Sequence, residues 1–394
     1  MLTGDIEGNL GDQAILIATR ELIEARSPSA EITVTARRPR DLPTHFGVRG
    51  LQRGFSGLPA LTRAARDADV VLCGGGGLFQ DDDSLVKMPY WALRLLFVRG
   101  FNRRLAGWSL GVGPLRSVSS RAFARLAFRC MASISTRDEA ARSLAKALSG
   151  KTVALVPDPA HALAPAPEAE VERWLSERAL PRDGRPLLGV TLRRWLGAAP
   201  RWIPNHLASR LGVGGARRST DSERLVERVA DALVSVIDKT GAHVLFLPSY
   251  ASPHEGDVWM CEEVARRCPT DSVHFAQIGD ARLYKGVVGH LSALLSGRMH
   301  PLLFAAGMGT PSVGLSYNPK FSGSLEQVGN DCLLMTVERL LEEDGFETLR
   351  DALLAAIETR PDRRTSQLTL AQQRCAALAE QTRQALTGVL AGAT

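Results

Sequence analysis

Short apolar runs that stop at glycine or serine recur along this chain, and stretches with helical spacing separate them. One such run is Val70-Val71-Leu72-Cys73, which ends in Gly74-Gly75-Gly76-Gly77. Another is Ala293-Leu294-Leu295, which ends in Ser296-Gly297. Runs of this length without polar alternation suit strands covered on both faces, and parallel strands need a crossover connection, usually a helix. The alternation therefore points to an α/β fold built on doubly wound parallel sheets.

In the first half, helical spacing covers residues 14–25, 58–66, 89–101, 119–128 and 137–148. Strands are expected at 31–36, 69–73, 106–112, 132–136 and 153–156. Residues 164–186 are rich in proline, alanine and glutamate and read as a linker, with a short helix at 171–179. A second series opens with a strand at 187–192. Its helix at 223–239 sets Leu225, Val226, Val229, Leu233, Val236 and Ile237 inward and ends at Gly241. Strands at 243–248, 272–275, 293–295 and 312–316, with a helix at 257–267, complete it. The tail at 337–390 is helical with a break near Pro361. The expected organisation is a first domain at 1–163, a linker at 164–186, a second domain at 187–335 and a helical tail at 336–394. Two Rossmann-like doubly wound domains facing a central cleft form the GT-B architecture.

Composition narrows the function classes. A chain of 394 residues exceeds one ordinary core, and its 45% hydrophobic and 23% charged residues are those of a globular protein. No apolar run reaches the roughly 18 residues that span a bilayer. The N-terminus lacks a basic region followed by an apolar one, so the expected location is cytoplasmic. The six cysteines are scattered with no C-x-x-C pair and read as reduced. A net charge of +6 implies an anionic partner. That charge is dispersed and no nucleic-acid-binding motif occurs, so nucleic acid is not the expected partner.

The chemistry-bearing residues sit at the ends of the apolar runs, where open α/β sheets hold their ligands. Arg298 and His300 follow the run at 293–295. Pro301 suits the first turn of a helix and disfavours helical backbone at the residue before it, so His300 is expected at the N-cap. Lys320 follows the next strand. Together they suit a small dianion near a helix N-terminus, with a proton donor beside it. In the first domain, Gly8-Asn9-Leu10-Gly11-Asp12 runs straight into a helix, with Asp12 expected at the N-cap. Gly75 and Gly76 precede Gln80 and Asp81. Neither the G-x-G-x-x-G dinucleotide pattern nor a P-loop is present. Arg137, in Ser135-Thr136-Arg137-Asp138, points into the cleft or pairs with its acidic neighbours on a helix surface.

Taken together, these segments resemble the polysaccharide pyruvyl transferase family. The ordered matches are the Gly8–Asp12 turn, the Gly74–Gly77 loop with Gln80-Asp81, the Ser135–Asp138 segment, and Arg298-Met299-His300 followed by Gly309-Thr310-Pro311. The resemblance implies a GT-B-like fold and transfer of pyruvate from phosphoenolpyruvate (PEP) to a sugar, forming a cyclic ketal. It implies that Arg137, Arg298, His300 and Lys320 bind PEP. PEP carries a carboxylate and a phosphate, which arginine forks bind in a bidentate way. Protonation of the PEP methylene suits His300, and Asp12 is the candidate base for the attacking hydroxyl. No metal or cofactor is expected. One departure stands out: only Met1–Thr3 precede the glycine turn where the family has a full first strand. The start is then misassigned, or the sheet loses part of an edge.

The acceptor side is expected to use Asn9, Asp12, Gly75, Gly76, Gln80, Asp81 and Arg193. A polyprenyl-diphosphate-linked sugar is the expected acceptor class by resemblance. Residues 87–104 mix Trp91, Leu95, Phe97 and Phe101 with Arg94, Arg99, Arg103 and Arg104. They form either a helix packed on its own sheet or a peripheral contact with the inner face of a membrane. Residues 193–218 form a basic segment with Trp195 and Trp202. Two other functions remain open: a GT-B glycosyltransferase using a nucleotide-sugar, and a non-catalytic GT-B-like protein that binds precursors.

Overall fold

The computed structural model describes residues 1–81, 84–178, 180–181, 183–193, 220–251, 257–317, 323, 325–326, 332–359 and 361–391. Two units emerge. The first comprises Met1–Leu163 with the C-terminal stretch from Ala377; the second holds most of the chain between Ala164 and Ala376.

In the first unit, strands β1 (Thr33–Ala36) and β2 (Arg49–Gln52) pair in parallel, and β3 (Val71–Gly74), β4 (Leu105–Leu110), β5 (Ser133–Thr136) and β6 (Ala154–Leu155) form a parallel sheet in that order. The first three residues join the two sets. The Leu2 N–H donates to Leu72 O at 2.8 Å, the Gly74 N–H donates to Leu2 O at 3.1 Å, and the Thr35 N–H donates to Met1 O at 3.3 Å. The spatial order is β2, β1, Met1–Thr3, β3, β4, β5, β6. The short first segment is therefore central and costs the sheet no edge. The order reverses between this segment and β3, the topological switch point of a Rossmann fold. Helix α1 (Leu10–Arg26) covers one face, where Thr19 Oγ1 accepts from the Trp108 indole at 3.2 Å. Helices α2 (Leu58–Asp67), α3 (Lys87–Arg99), α4 (Val118–Cys130) and α5 (Glu139–Ser149) follow along the chain. Leu61, Trp91, Leu95, Phe128 and Leu148 from these helices bury against the sheet in one cluster.

The second unit repeats the plan. Its strands are β7 (Leu187–Thr191), β8 (His243–Phe246), β9 (Val273–Phe275), β10 (Ala293–Ser296), β11 (Ser312–Ser316) and β12 (Leu333–Thr336). All pair in parallel in the order β12-β11-β10-β7-β8-β9, with the reversal between β7 and β10. Residues 164–186 carry helix α6 (Glu168–Glu177), which starts three residues ahead of the short helix expected at 171–179 and packs on a helix absent from the sequence reading, here numbered α9 (Ala281–Gly289). Asp280 caps that helix, accepting the N–H of Arg282 at 2.7 Å and of Leu283 at 3.0 Å. Between them lie α7 (Thr220–Thr240) and α8 (Asp257–Ala265); α10 (Met299–Met308) follows β10. Helices α11 (Val337–Leu340), α12 (Gly345–Ile357) and α13 (Pro361–Ala391) close the chain. Leu225, Val229, Leu233 and Val236 of α7 are buried as the periodicity requires, with Leu349 and Leu353 of α12 in the same cluster. No described helix is long and apolar enough to cross a membrane.

Candidate functional site

In the second unit, β7 and β10 are neighbours whose successor strands, β8 and β11, lie on opposite sides of the pair. The carboxyl end of β10 is shaped by Ser296. Its Oγ accepts the Arg298 N–H at 3.0 Å and donates to the Arg298 carbonyl at 2.7 Å. This clamp holds Arg298 extended, at φ −122° and ψ 141°, and makes it the N-cap of α10. The helix starts at Met299, two residues before the position inferred from Pro301. His300 is thus the second helical residue, not the cap. Pro301 remains within the first turn, where a missing N–H breaks no helical bond. The local Ser296 clamp overrides the extended bias that proline imposes on the residue before it.

Arg298 does not hang free at this strand end. Asp257, the buried first residue of α8, takes its guanidinium in a fork: Nε to Oδ2 at 2.9 Å and Nη2 to Oδ1 at 2.5 Å. The Tyr250 ring lies 5.1 Å from Arg298 Cζ. The side chain keeps 13% of its surface exposed. A guanidinium has five N–H donors in a planar fork, and Asp257 engages the Nε and Nη2 edge of it. At the end of β7, Arg193 stacks over Tyr317, which follows β11, at 4.2 Å. The two strand ends approach closely: a Cβ on Gly297 would lie 3.0 Å from the Arg193 nitrogen. Four adjacent strands therefore end in two arginine–tyrosine pairs, with the first turn of α10 between β10 and β11. Lys320 and the basic segment at 194–219, with Trp195 and Trp202, lie outside the described residues.

The first unit handles its charges differently. Asn9, not Asp12, caps α1: its Oδ1 accepts the Gly11 N–H at 2.9 Å, so the helix begins at Leu10. Asp12 falls three residues inside the cap and reaches back past it to the Asp5 N–H, with Oδ2 at 2.7 Å, tying the preceding loop to the first turn of the helix. Its carboxylate is wedged between two glycines. A Cβ on Gly4 would lie 2.3 Å from Oδ2, and one on Gly76 would lie 2.2 Å from Oδ1. Gly76 also has φ +69°, a conformation that disfavours any side chain. Asp81 is buried and accepts the backbone N–H groups of Arg116 and Ser117 at 2.9–3.0 Å. It fixes the turn before α4. Gln80 bends over Gly77, and Gly75 lines the same loop at φ +94°.

Arg137 is buried at the end of β5. Its Nη1 donates to Asp158 Oδ2 at 3.0 Å, Asp138 lies at 3.9 Å, and the guanidinium packs under Gly111. Of the orientations open from sequence, this is an arginine paired with acids, in the fold's interior and not on a helix surface. Sequence reading missed four residues: Asp257, Tyr250, Asp158 and Arg53. Arg53 donates to the carbonyls of Thr3, Gly4 and Thr35, and burial lowers its pKa below the ordinary arginine value. One signal was available for two of them. Asp257 opens a helix after a strand, and Asp158 follows one, the same strand-end grammar that picked out Arg298.

A family model described as polysaccharide pyruvyl transferase matches residues 9–319. A search of curated proteins found no match. Among solved structures, the chain is similar to S. aureus MnaA with UDP (TM-score 0.59, 11% identity, 93% of this chain and 91% of that one covered). It is also similar to the UDP-GlcNAc 2-epimerase of Methanocaldococcus jannaschii (0.55, 12%, 94% and 96%) and to that of Neisseria meningitidis bound to UDP-GlcNAc (0.52, 11%, 94% and 97%). At these identities the likeness concerns the fold, two Rossmann-like units of the GT-B type.

Proposed function

Because this chain belongs to the polysaccharide pyruvyl transferase family, we propose that it moves pyruvate from PEP to two hydroxyls of a sugar in a polysaccharide or its lipid-linked precursor, forming a cyclic ketal and releasing phosphate. The observation that carries this reading is Arg298, aimed by the Asp257 fork at the carboxyl end of β10 beside the first turn of α10. PEP needs donors for a carboxylate and a phosphate at once. Arg298 and Arg193 supply forks, and the α10 amides add a positive helix end.

The residues then divide the work. His300, in the first turn of α10, donates a proton to the PEP methylene carbon. The double-bond electrons form the new C–H bond, and the electron deficit appears at C2. One sugar hydroxyl attacks C2, and its proton restores the one that His300 gave up. The second displaces phosphate, which departs with the C–O bond electrons and takes up that hydroxyl's proton. The paired arginines hold the anionic groups through both steps. Arg193, read from sequence as an acceptor contact, joins the donor set in this scheme, and Lys320 is assigned to it by family resemblance. Asp12, engaged by the Asp5 N–H, shapes the loop instead of removing a proton. Asn9, Gly75, Gly76 and Gln80 remain the proposed acceptor contacts.

A binding comparison tests the scheme. PEP is expected to bind in the millimolar-to-micromolar range, with phosphate released only when a sugar acceptor is added. Tight binding of UDP-GlcNAc with no binding of PEP would replace this scheme with nucleotide-sugar transfer.

A further inference from the structure

From Ser84 to Arg137 the sequence contains no aspartate or glutamate, while lysine and arginine recur throughout. This stretch builds α3, β4, α4 and β5. Because β3, β4 and β5 lie side by side in chain order, right-handed crossovers set α3 and α4 on one face of the sheet, where they pack along each other. Their inner sides are core: Trp91 and Leu95 from α3, Ala124 and Phe128 from α4.

Their outer sides are unusual. Leu93 is 61% exposed and Val118 85% exposed, with Leu96 and Leu126 exposed as well. Among them, Arg121, Arg125 and Arg129 stand one helical turn apart along α4, all exposed. No carboxylate of the described residues pairs with these three. Like charges at this spacing destabilise a helix, and soluble helix pairs ordinarily mix signs on their outer faces. An anionic partner offsets that repulsion. A polyanion such as nucleic acid would satisfy the arginines and leave Leu93 and Val118 in water. A bilayer of anionic phospholipid takes both, with phosphates at the depth of the arginines and acyl chains below.

We propose that the outer face of α3 and α4 docks this protein on an anionic phospholipid bilayer, with Leu93, Leu96, Val118 and Leu126 entering the acyl boundary and Arg121, Arg125 and Arg129 on headgroup phosphates. The inference goes beyond pyruvyl transfer and does not depend on it.

The test is flotation of the full chain with vesicles of phosphatidylcholine alone or with added phosphatidylglycerol, without donor or acceptor. The wild type floats with the anionic vesicles only, and binding falls steeply as salt rises. Exchanging Arg121, Arg125 and Arg129 together for serine lowers partition about 100-fold, at about fivefold per arginine. Leu93→Asp lowers it about tenfold. All four side chains are exposed, so melting temperatures stay near wild type. Equal flotation with uncharged vesicles, flotation with neither, or undiminished flotation of the triple variant overturns the proposal. So does oligonucleotide binding as tight as vesicle binding and insensitive to Leu93→Asp. Since no turnover is read, failure here and failure of pyruvyl transfer are separate results.

Discussion

The two units share one strand order and one kind of switch point, yet they treat an arginine at a strand end in opposite ways. In the first, Arg137 is sealed by Asp158 and Gly111, with only 4% of its side chain exposed. In the second, Arg298 is gripped by Asp257 along one edge and keeps 13% exposed at the head of α10. The carboxylates differ in the same sense. Asp12 and Asp81 are spent on backbone N–H groups that shape loops, whereas Asp257 orients a cation. Side-chain pairing thus encloses Arg137 among carboxylates at one strand end and leaves Arg298 partly exposed at another, beside the start of a helix.

The largest effect that can break this contrast is catalytic. His300→Asn is expected to lower turnover by about 10²–10⁴ with melting temperature and PEP affinity little changed. Asp12→Asn, the matching change in the first unit, should leave most turnover intact. Equal losses in both would return a proton-transfer role to Asp12.

Next in size is a stability effect confined to the first unit. Removing one member of a buried ion pair costs about 3–5 kcal/mol. Arg137→Ala should therefore lower the melting temperature on the order of 10 °C. A stable Arg137→Ala protein with strongly weakened PEP binding would move Arg137 from scaffold to ligand.

Asp257→Asn sharpens the second half of the comparison. The amide keeps the shape but loses the charge and one acceptor of the fork, so Arg298 loses its aim. KM for PEP should rise about tenfold, a loss of roughly 1.5 kcal/mol, with kcat changed far less. Asp257→Glu should recover part of it. A fall in kcat at constant KM would contradict a positioning role.

The smallest effect is a pH dependence in the second unit, at the amino ends of β8 and β9. His274 Nε2 lies 3.4 Å from His243 Nδ1, and His243 Nε2 lies 3.2 Å from Asp183. Burial, then the neighbouring His243, push the His274 pKa below its ordinary value of 6.5. The folded state therefore resists a proton that the unfolded chain accepts. Stability is full above about 6.5 and declines as pH falls through that value toward the lower folded pKa. Denaturation midpoints across this window should show the slope, and His274→Asn should flatten it.

Much of this fold was legible because parallel strands covered on both faces leave unbroken apolar runs, and β3, β7, β10 and β11 are of that kind. The missed strands are edges. Arg49–Gln52 and Leu333–Thr336 are half exposed; the first carries a single apolar residue, and the second is an apolar run of only three, Leu333-Leu334-Met335. Helix starts shifted where a local hydrogen bond outranked a propensity: Asn9 moved α1 upstream of Asp12, and Ser296 moved α10 upstream of Pro301. At the candidate site, Arg298 and His300 could be read from their position after a strand. Asp257 could not be matched to Arg298, because 41 residues separate them and only the return of the chain from β8 into α8 brings them together. Arg137 and Asp158 pose the same problem at a separation of 21 residues.

Calorimetric titration of PEP into the wild type and into Arg298→Lys tests the central claim most directly. Lysine keeps a positive charge facing Asp257 and loses the planar fork that a second anion would share. A site built on that fork predicts measurable heat with the wild type and affinity about 10- to 100-fold weaker with Arg298→Lys, at unchanged melting temperature. Wild-type affinity in Arg298→Lys, with the protein folded, would contradict the assignment of the PEP site to the carboxyl end of β10.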